Sequence, residues 1–263
     1  MSGENASGRP GPELRAVLFD MDGLLVDSEP LWFEAECAVM ATIGGSWSRA
    51  DQLELTGGSL GHSVGYMRAR ALRPAEPELV GQWLLDTMAT LIAERGVPLM
   101  AGAAGLLAEV TAAGIPMALV TSAQRRIMDA VIAGTGLAFG VTVCAEDVSH
   151  GKPDPEPYLR AAAALGQPPA GCVALEDSPR GIAAAQAAGC PVIAVPSVPL
   201  PAALSTARPG RAIVTSLREV DLARIRQVVE AGEAAAAGGR RAVRASATVC
   251  DDEGDGTTEG RRS

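Results

Sequence analysis

Phe19-Asp20-Met21-Asp22-Gly23-Leu24-Leu25-Val26-Asp27-Ser28-Glu29 decides the fold of this chain. The apolar run Ala16-Val17-Leu18 precedes it, so two aspartates one residue apart emerge from what reads as a buried strand. In extended backbone, side chains two residues apart point the same way. Two carboxylates at the end of a buried strand are costly unless a cation or a reaction uses them. One can attack as a nucleophile while its neighbour moves protons. Calcium loops and ordinary turns use the same spacing, so the motif takes its meaning from reactive groups further along the chain.

Composition narrows the choices. The chain has 263 residues, a formal charge of −9 and an isoelectric point near 4.8. That length allows one large or two modest domains with a real core. The acidic balance argues against nucleic acid as a partner, since phosphate backbones attract basic faces. Cys37, Cys144, Cys172, Cys190 and Cys250 are scattered and odd in number, which fits reduced thiols in a cytoplasm. His62 and His150 are the only histidines, too few for a multi-histidine metal site. The first ten residues lack an apolar core, so no signal peptide is expected there. The stretch 101–120 is broken by Glu109, Gly114 and Pro116 and reads as a helix, a turn and a strand, with no membrane span.

Apolar strand signals recur at 16–20, 117–122, 141–147, 172–177, 192–196 and 212–215. Ala-rich, helix-compatible segments at 124–133, 155–165 and 179–188 separate several of them. The pattern predicts an α/β fold, a doubly wound parallel sheet covered on both faces. About ninety residues separate the first strand from the second, far beyond an ordinary crossover. Helical patterns at 29–43, 60–72 and 78–94 fill that interval, which predicts a small helical domain inserted after the first strand. The expected division is a catalytic core at 14–28 and 100–231, a helical cap at 29–99, and disordered tails at 1–13 and 232–263.

Three later strand ends carry reactive groups. Leu119-Val120-Thr121-Ser122 brings hydroxyls and free N–H groups ahead of a helix, a setting suited to an anion. Gly151-Lys152-Pro153-Asp154-Pro155 holds a lysine in a restricted loop. Glu176-Asp177-Ser178 ends a further strand with adjacent carboxylates fit for a hard cation. Singly these read as a helix cap, a solvated lysine and a surface acid. In an open α/β sheet the strand ends converge where ligands bind, and together they form a kit for phosphoryl transfer.

With these four motifs in order, the chain resembles phosphatases of the haloacid dehalogenase superfamily whose helical cap follows the first strand, the subgroup of β-phosphoglucomutase and sugar-phosphate phosphatases. The matching segments are Asp20 to Trp32, Leu119 to Ser122, Gly151 to Tyr158 and Ala174 to Gly189. The resemblance implies a Rossmann-like core and a magnesium-dependent hydrolase acting on a small phosphomonoester, sugar or polyol phosphates first, through an aspartyl-phosphate. By the same resemblance Asp20 is the nucleophile and Asp22 the acid and base. Thr121, Ser122 and Lys152 bind the phosphoryl group. Asp20, Asp22, Glu176 and Asp177 hold Mg2+, Asp22 through its backbone carbonyl and Glu176 directly or through water. A cytoplasmic monomer with neither nucleic acid nor membrane as partner is expected.

Two departures bear on this reading. Leu24 stands where many relatives carry threonine, and Trp32 stands where the related mutases carry a histidine near the hinge. The second lowers the alternative of a β-phosphoglucomutase-like phosphomutase. Arg68, Arg70 and His62 are candidate substrate contacts in the cap, though a solvated face explains them as well. A phosphorylated receiver domain would carry its acidic pair on the first strand, which is not the order here. A non-catalytic binding protein on the same fold is a further alternative.

Overall fold

The computed structural model describes residues 13–55 and 58–249. Its centre is a parallel six-stranded sheet of β1 (Ala16–Phe19), β2 (Met117–Val120), β3 (Val141–Val143), β4 (Cys172–Glu176), β5 (Val192–Ala194) and β6 (Arg211–Ile213), in the order β3-β2-β1-β4-β5-β6. Phe19 pairs with Leu119 on one side and Leu175 on the other, so β1 lies between the two strands whose ends carry later motifs.

Alternation along these strands builds two cores. Val17, Phe19, Leu119, Val173, Leu175 and Ile193 face one side. Ala16, Leu18, Ala118, Val120, Ala174, Val192 and Ala194 face the other. The second face is rich in alanine, which lets α7 (Glu156–Ala164) and α8 (Pro179–Ala187) approach closely through Tyr158, Ala161, Ile182 and Ala185. Opposite them lie α5 (Ala103–Ala112), α6 (Arg125–Thr135) and α9 (Leu222–Val249). Each fully buried leucine- or valine-sized side chain contributes about 1.5–3 kcal/mol.

Between β1 and α5 the chain forms α1 (Glu29–Thr42), α2 (Arg49–Leu55), α3 (Leu60–Ala69) and α4 (Pro77–Arg95). This helical insert has its own apolar contacts, with Val39, Met40, Met67, Val80, Leu84 and Met88 buried. It leaves and rejoins the core through two adjacent segments. Val26 forms an antiparallel bridge with Leu99, Asp27 N–H donates to Pro98 O at 2.9 Å, and Met100 N–H donates to Leu25 O at 2.8 Å. Gly96, at φ +71°, ends α4 in a conformation that β-carbons disfavour.

The expected strand at 141–147 stops at Val143 and turns into a short 3₁₀ helix over Ala145–Asp147. The tail expected from 232 is helical in backbone as far as Val249, because α9 continues past its packed turns at Leu222, Ile225, Val228 and Val229. Residues 250–263, and 1–12 of the other expected tail, lie outside the described residues. Among the described residues no helix is long and apolar enough to cross a membrane.

Candidate active site

The carboxyl ends of β1, β2 and β4, with the loop after β3, meet in one cavity. Its floor is lined by Asp20, Asp22, Thr121, Ser122, Lys152 and Asp177. Asp20 leaves β1 while its N–H still donates to Leu175 O at 3.1 Å, which fixes it to the neighbouring strand. The chain then folds back at once: Leu25 and Val26 N–H both donate to Met21 O, at 2.9 and 3.1 Å. Gly23 makes that turn at φ +77°. A β-carbon there would also collide with the Asp177 carboxylate, so glycine is required twice over.

Among the described residues, Lys152 is the only cationic side chain on the cavity lining. Its Nζ donates to Asp20 Oδ1 at 2.5 Å, Glu176 Oε1 at 2.6 Å and Val120 O at 2.9 Å. A buried ammonium is tolerated only with partners of this kind. Burial opposes its charge, but Asp20 and Glu176 outweigh that and hold its pKa above the ordinary lysine range. Arg180 Nη2 donates to Lys152 O at 2.5 Å and pins the loop that carries it.

Glu176, fully buried, is anchored on both oxygens. Oε1 accepts from Lys152 and, at 2.5 Å, from the Tyr158 hydroxyl. Oε2 accepts from the Asp177 and Ser178 amides and the Ser178 hydroxyl, at 3.2, 3.4 and 3.3 Å. Gly181 leaves room for this carboxylate, which a β-carbon would strike. Ser178 also caps α8, accepting from Gly181 N–H at 3.1 Å.

Asp22 lines the same cavity. Its Oδ1 accepts from Ser28 Oγ at 2.5 Å and from the Trp32 indole N–H at 3.4 Å, while Oδ2 lies 3.4 Å from the Thr121 hydroxyl. Burial raises its pKa, and these three donors offset the rise only in part. A carboxyl that keeps its proton above the usual range is suited to giving it up to a leaving group. The Thr121 hydroxyl also accepts the Ala123 amide at 3.0 Å. The Ser122 N–H has no hydrogen bond among the described residues.

One ligand oxygen from each of Asp20, Glu176 and Asp177 lies within 4.8 Å of the others. This is a hard, all-oxygen donor set, and it carries more negative charge than Lys152 balances. Burial first, then Glu176, lifts the Asp177 carboxyl to about 7, and burial with Glu176 and Asp177 raises Asp20 despite Lys152. The residues therefore fit a divalent cation that prefers oxygen, such as Mg2+. Glu176 belongs to that set, although both of its oxygens also accept from the protein.

The roof of the cavity comes from the inserted helices. Glu29, Trp32 and Glu36 of α1 line it together with Gln52, Leu55, Leu60, Ser63 and Leu84, around a cavity of about 100 Å³. Positions 29, 32 and 36 recur at helical spacing, so one face of α1 looks into the site. Of the residues expected from sequence, Asp20, Asp22, Thr121, Ser122, Lys152 and Asp177 line this cavity and Glu176 stands beneath it. His62, Arg68 and Arg70 do not. His62 is exposed, Arg68 donates to Ala75 O, and Arg70 stacks on Tyr66 and pairs with Asp51. Ser28, Tyr158 and the roof residues Glu29, Glu36 and Gln52 were not foreseen. The polar positions along one face of α1 were the available signal.

A parallel sheet with paired aspartates after its first strand, a lysine and an acidic pair at neighbouring ends, and helices folded over them defines a class of hydrolases. The chain belongs to the haloacid dehalogenase-like hydrolases, whose family model matches residues 14–189. It is 35% identical over 190 residues to hexitol phosphatase B of Escherichia coli K12, covering 70% of this chain and 85% of that one. It is 34% identical over 196 residues to protein CbbY of Rhodobacter capsulatus, covering 70% and 86%. Among solved structures it is similar to CbbY of Rhodobacter sphaeroides in complex with phosphate, with a TM-score of 0.72 at 28% identity over 80% of this chain and 98% of that one.

Proposed function

We propose that this enzyme is a magnesium-dependent phosphatase that hydrolyses a small phosphomonoester, with sugar or polyol phosphates as its substrates, through an aspartyl-phosphate. The observation that carries this reading is the convergence of Asp20, Asp22, Thr121, Lys152 and Asp177 on one cavity from four separate parts of the chain. Likeness to a hexitol phosphatase supports the substrate class.

The roles follow from position. Lys152 holds Asp20 Oδ1, and Oδ2 has no protein hydrogen bond among the described residues, so the carboxylate can offer an oxygen to phosphorus. The Thr121 hydroxyl and the Ser122 amide receive phosphoryl oxygens as hydrogen-bond donors. Asp22 gives its proton to the departing alkoxide as the ester bond breaks and Asp20 takes the phosphoryl group. Carrying a negative charge after that step, Asp22 takes a proton from the water that attacks the aspartyl-phosphate. Asp20 and Asp177 with the Asp22 carbonyl would hold Mg2+, with Glu176 as a ligand directly or through water. When bound, the ion supplies the positive charge that lets one anion approach another. Helices α1 to α4 keep bulk water from the reacting groups.

A phosphate-release screen across sugar, polyol, nucleotide and small-acid monophosphates, with and without Mg2+, tests the proposal. The expected result is metal-dependent release, fastest with a sugar or polyol ester. No release from any ester, or equal release in chelator, would overturn it.

A further inference from the structure

The roof of the cavity differs from its floor in a way that the catalytic roles do not use. Among the described residues its two ionisable groups, Glu29 and Glu36, are both acids, and no roof residue on the lining is basic. Glu36, only 5% exposed, accepts the Trp47 indole N–H on Oε2 at 2.8 Å. Its Oε1 has no hydrogen bond among the described residues. Glu29 Oε2 accepts from Gln52 Nε2 at 2.9 Å, and the same nitrogen donates to Glu29 O at 2.7 Å. The neighbouring cation, Arg49, is off the lining: it donates to Gln52 Oε1 at 2.8 Å and stacks 3.8 Å from the Phe33 ring centroid.

We infer that this roof selects by charge, accepting a neutral polyhydroxylated leaving group and rejecting one that carries a second anion, with Glu36 as a specificity-determining residue. The inference rests on the phosphatase reading above. Lys152 cannot serve a second anion, because Asp20 and Glu176 already bind it. A second phosphate or a carboxylate entering the roof would lose its water and meet acidic oxygens with no counter-ion. Hydroxyl groups meet a different environment. Carboxyl oxygens accept from them, and Ser63 on the same lining can donate or accept. Burial raises both carboxyls to about 7, which adds a donor to the roof when either holds its proton. A site built to hydrogen-bond hydroxyls discriminates strongly, since its buried polar groups are left unpaired by the wrong ligand.

The test is initial phosphate release by the wild-type enzyme with Mg2+ from glucitol 6-phosphate, fructose 1,6-bisphosphate, phosphoglycolate and 4-nitrophenyl phosphate. Glucitol 6-phosphate is expected to exceed both esters that carry a second anion by about 100-fold in kcat/KM. The Glu36→Gln variant, which keeps an acceptor for Trp47, is expected to narrow that ratio by about 10-fold. Release from 4-nitrophenyl phosphate together with comparable rates on glucitol 6-phosphate and the bisphosphate would overturn the charge filter alone. A wild-type ratio of the expected size that Glu36→Gln leaves unchanged would overturn the role of Glu36. No release from any of the four would overturn the phosphatase reading and this inference with it.

Discussion

Lys152 Nζ lies 2.5 Å from Asp20 Oδ1, although 132 positions separate the two residues in the chain. The pair crosses from the loop after β3 to the end of β1, past the end of β2, and its geometry exists only once the sheet has closed. The same ammonium is held by Glu176 at the end of β4. Removing Lys152 leaves two buried carboxylates facing each other, which costs about 3–5 kcal/mol where one member of a buried pair is deleted. Lys152→Ala is therefore expected to lower the thermal midpoint as well as abolish turnover. A variant that melts like the wild type would show that the pair does not support the fold.

Asp20→Asn should lose at least ~10³-fold in kcat, because Asp20 is the proposed nucleophile and groups acting as a unit fail together. The substitution is nearly isosteric, so the folded state should persist. Steady-state phosphate release with circular dichroism checks both parts. Turnover close to wild type would remove Asp20 as the nucleophile.

Asp177→Asn takes a charged oxygen out of the acidic cluster and keeps a hydrogen-bond acceptor for the Ser197 hydroxyl, which lies 2.6 Å from Asp177 Oδ2. Half-saturation by Mg2+ should rise by about 10-fold or more, while KM at saturating metal changes less. A magnesium titration of activity reads this directly, and an unchanged midpoint would place the ion elsewhere.

Glu36 links the roof to stability. Burial lifts its carboxyl from 4.5 to about 7, Trp47 partly opposing and Glu29 adding to the rise. A carboxyl with a raised folded value binds its proton more tightly folded than unfolded, so stability falls as pH climbs from about 4.5 through about 7 and is level above that. Glutamine does not titrate. Glu36→Gln should therefore gain about 2 kcal/mol relative to wild type between pH 5 and pH 8. Parallel thermal melts at the two pH values check this, and a difference that does not grow with pH would contradict the raised value.

The floor of the site was legible because each of its groups sits next to a buried strand, and strand ends converge by topology. Asp20, Thr121 and Asp177 needed only the apolar runs before them. The roof was not legible in the same way. Glu29 and Glu36 are acids on an amphipathic helix, where solvated acids are common, and only the packing of α1 against α4 turns that face inward. Glu176 read from sequence as a metal ligand and stands in the acidic cluster with Asp20 and Asp177, but its contacts with Lys152 and Tyr158, made by α7 and the loop before it, had no signal in the sequence. Composition also misjudged α9: alanine and glycine suggested an unstructured tail, but four apolar residues in its first turns anchor a helix that alanine then continues to Val249.

Trp32 donates its indole N–H to Asp22 Oδ1 at 3.4 Å, and this bears on whether the proposed aspartyl-phosphate would end in hydrolysis or in transfer back to a sugar. In hydrolysis water reaches phosphorus, and Asp22 takes its proton after having protonated the alkoxide. A mutase must exclude water while its sugar turns round, and must hold a bisphosphate with its second phosphate in the roof. Neither requirement suits this cavity. An indole donates but cannot relay a proton, so Trp32 can orient Asp22 without serving as a second acid. The roof offers Glu29 and Glu36 where the second phosphate would need a cation. With glucose 1-phosphate and a catalytic amount of glucose 1,6-bisphosphate, we expect free phosphate to form in proportion to glucose released. Glucose 6-phosphate as the main product, with little free phosphate, would reverse the assignment to hydrolysis.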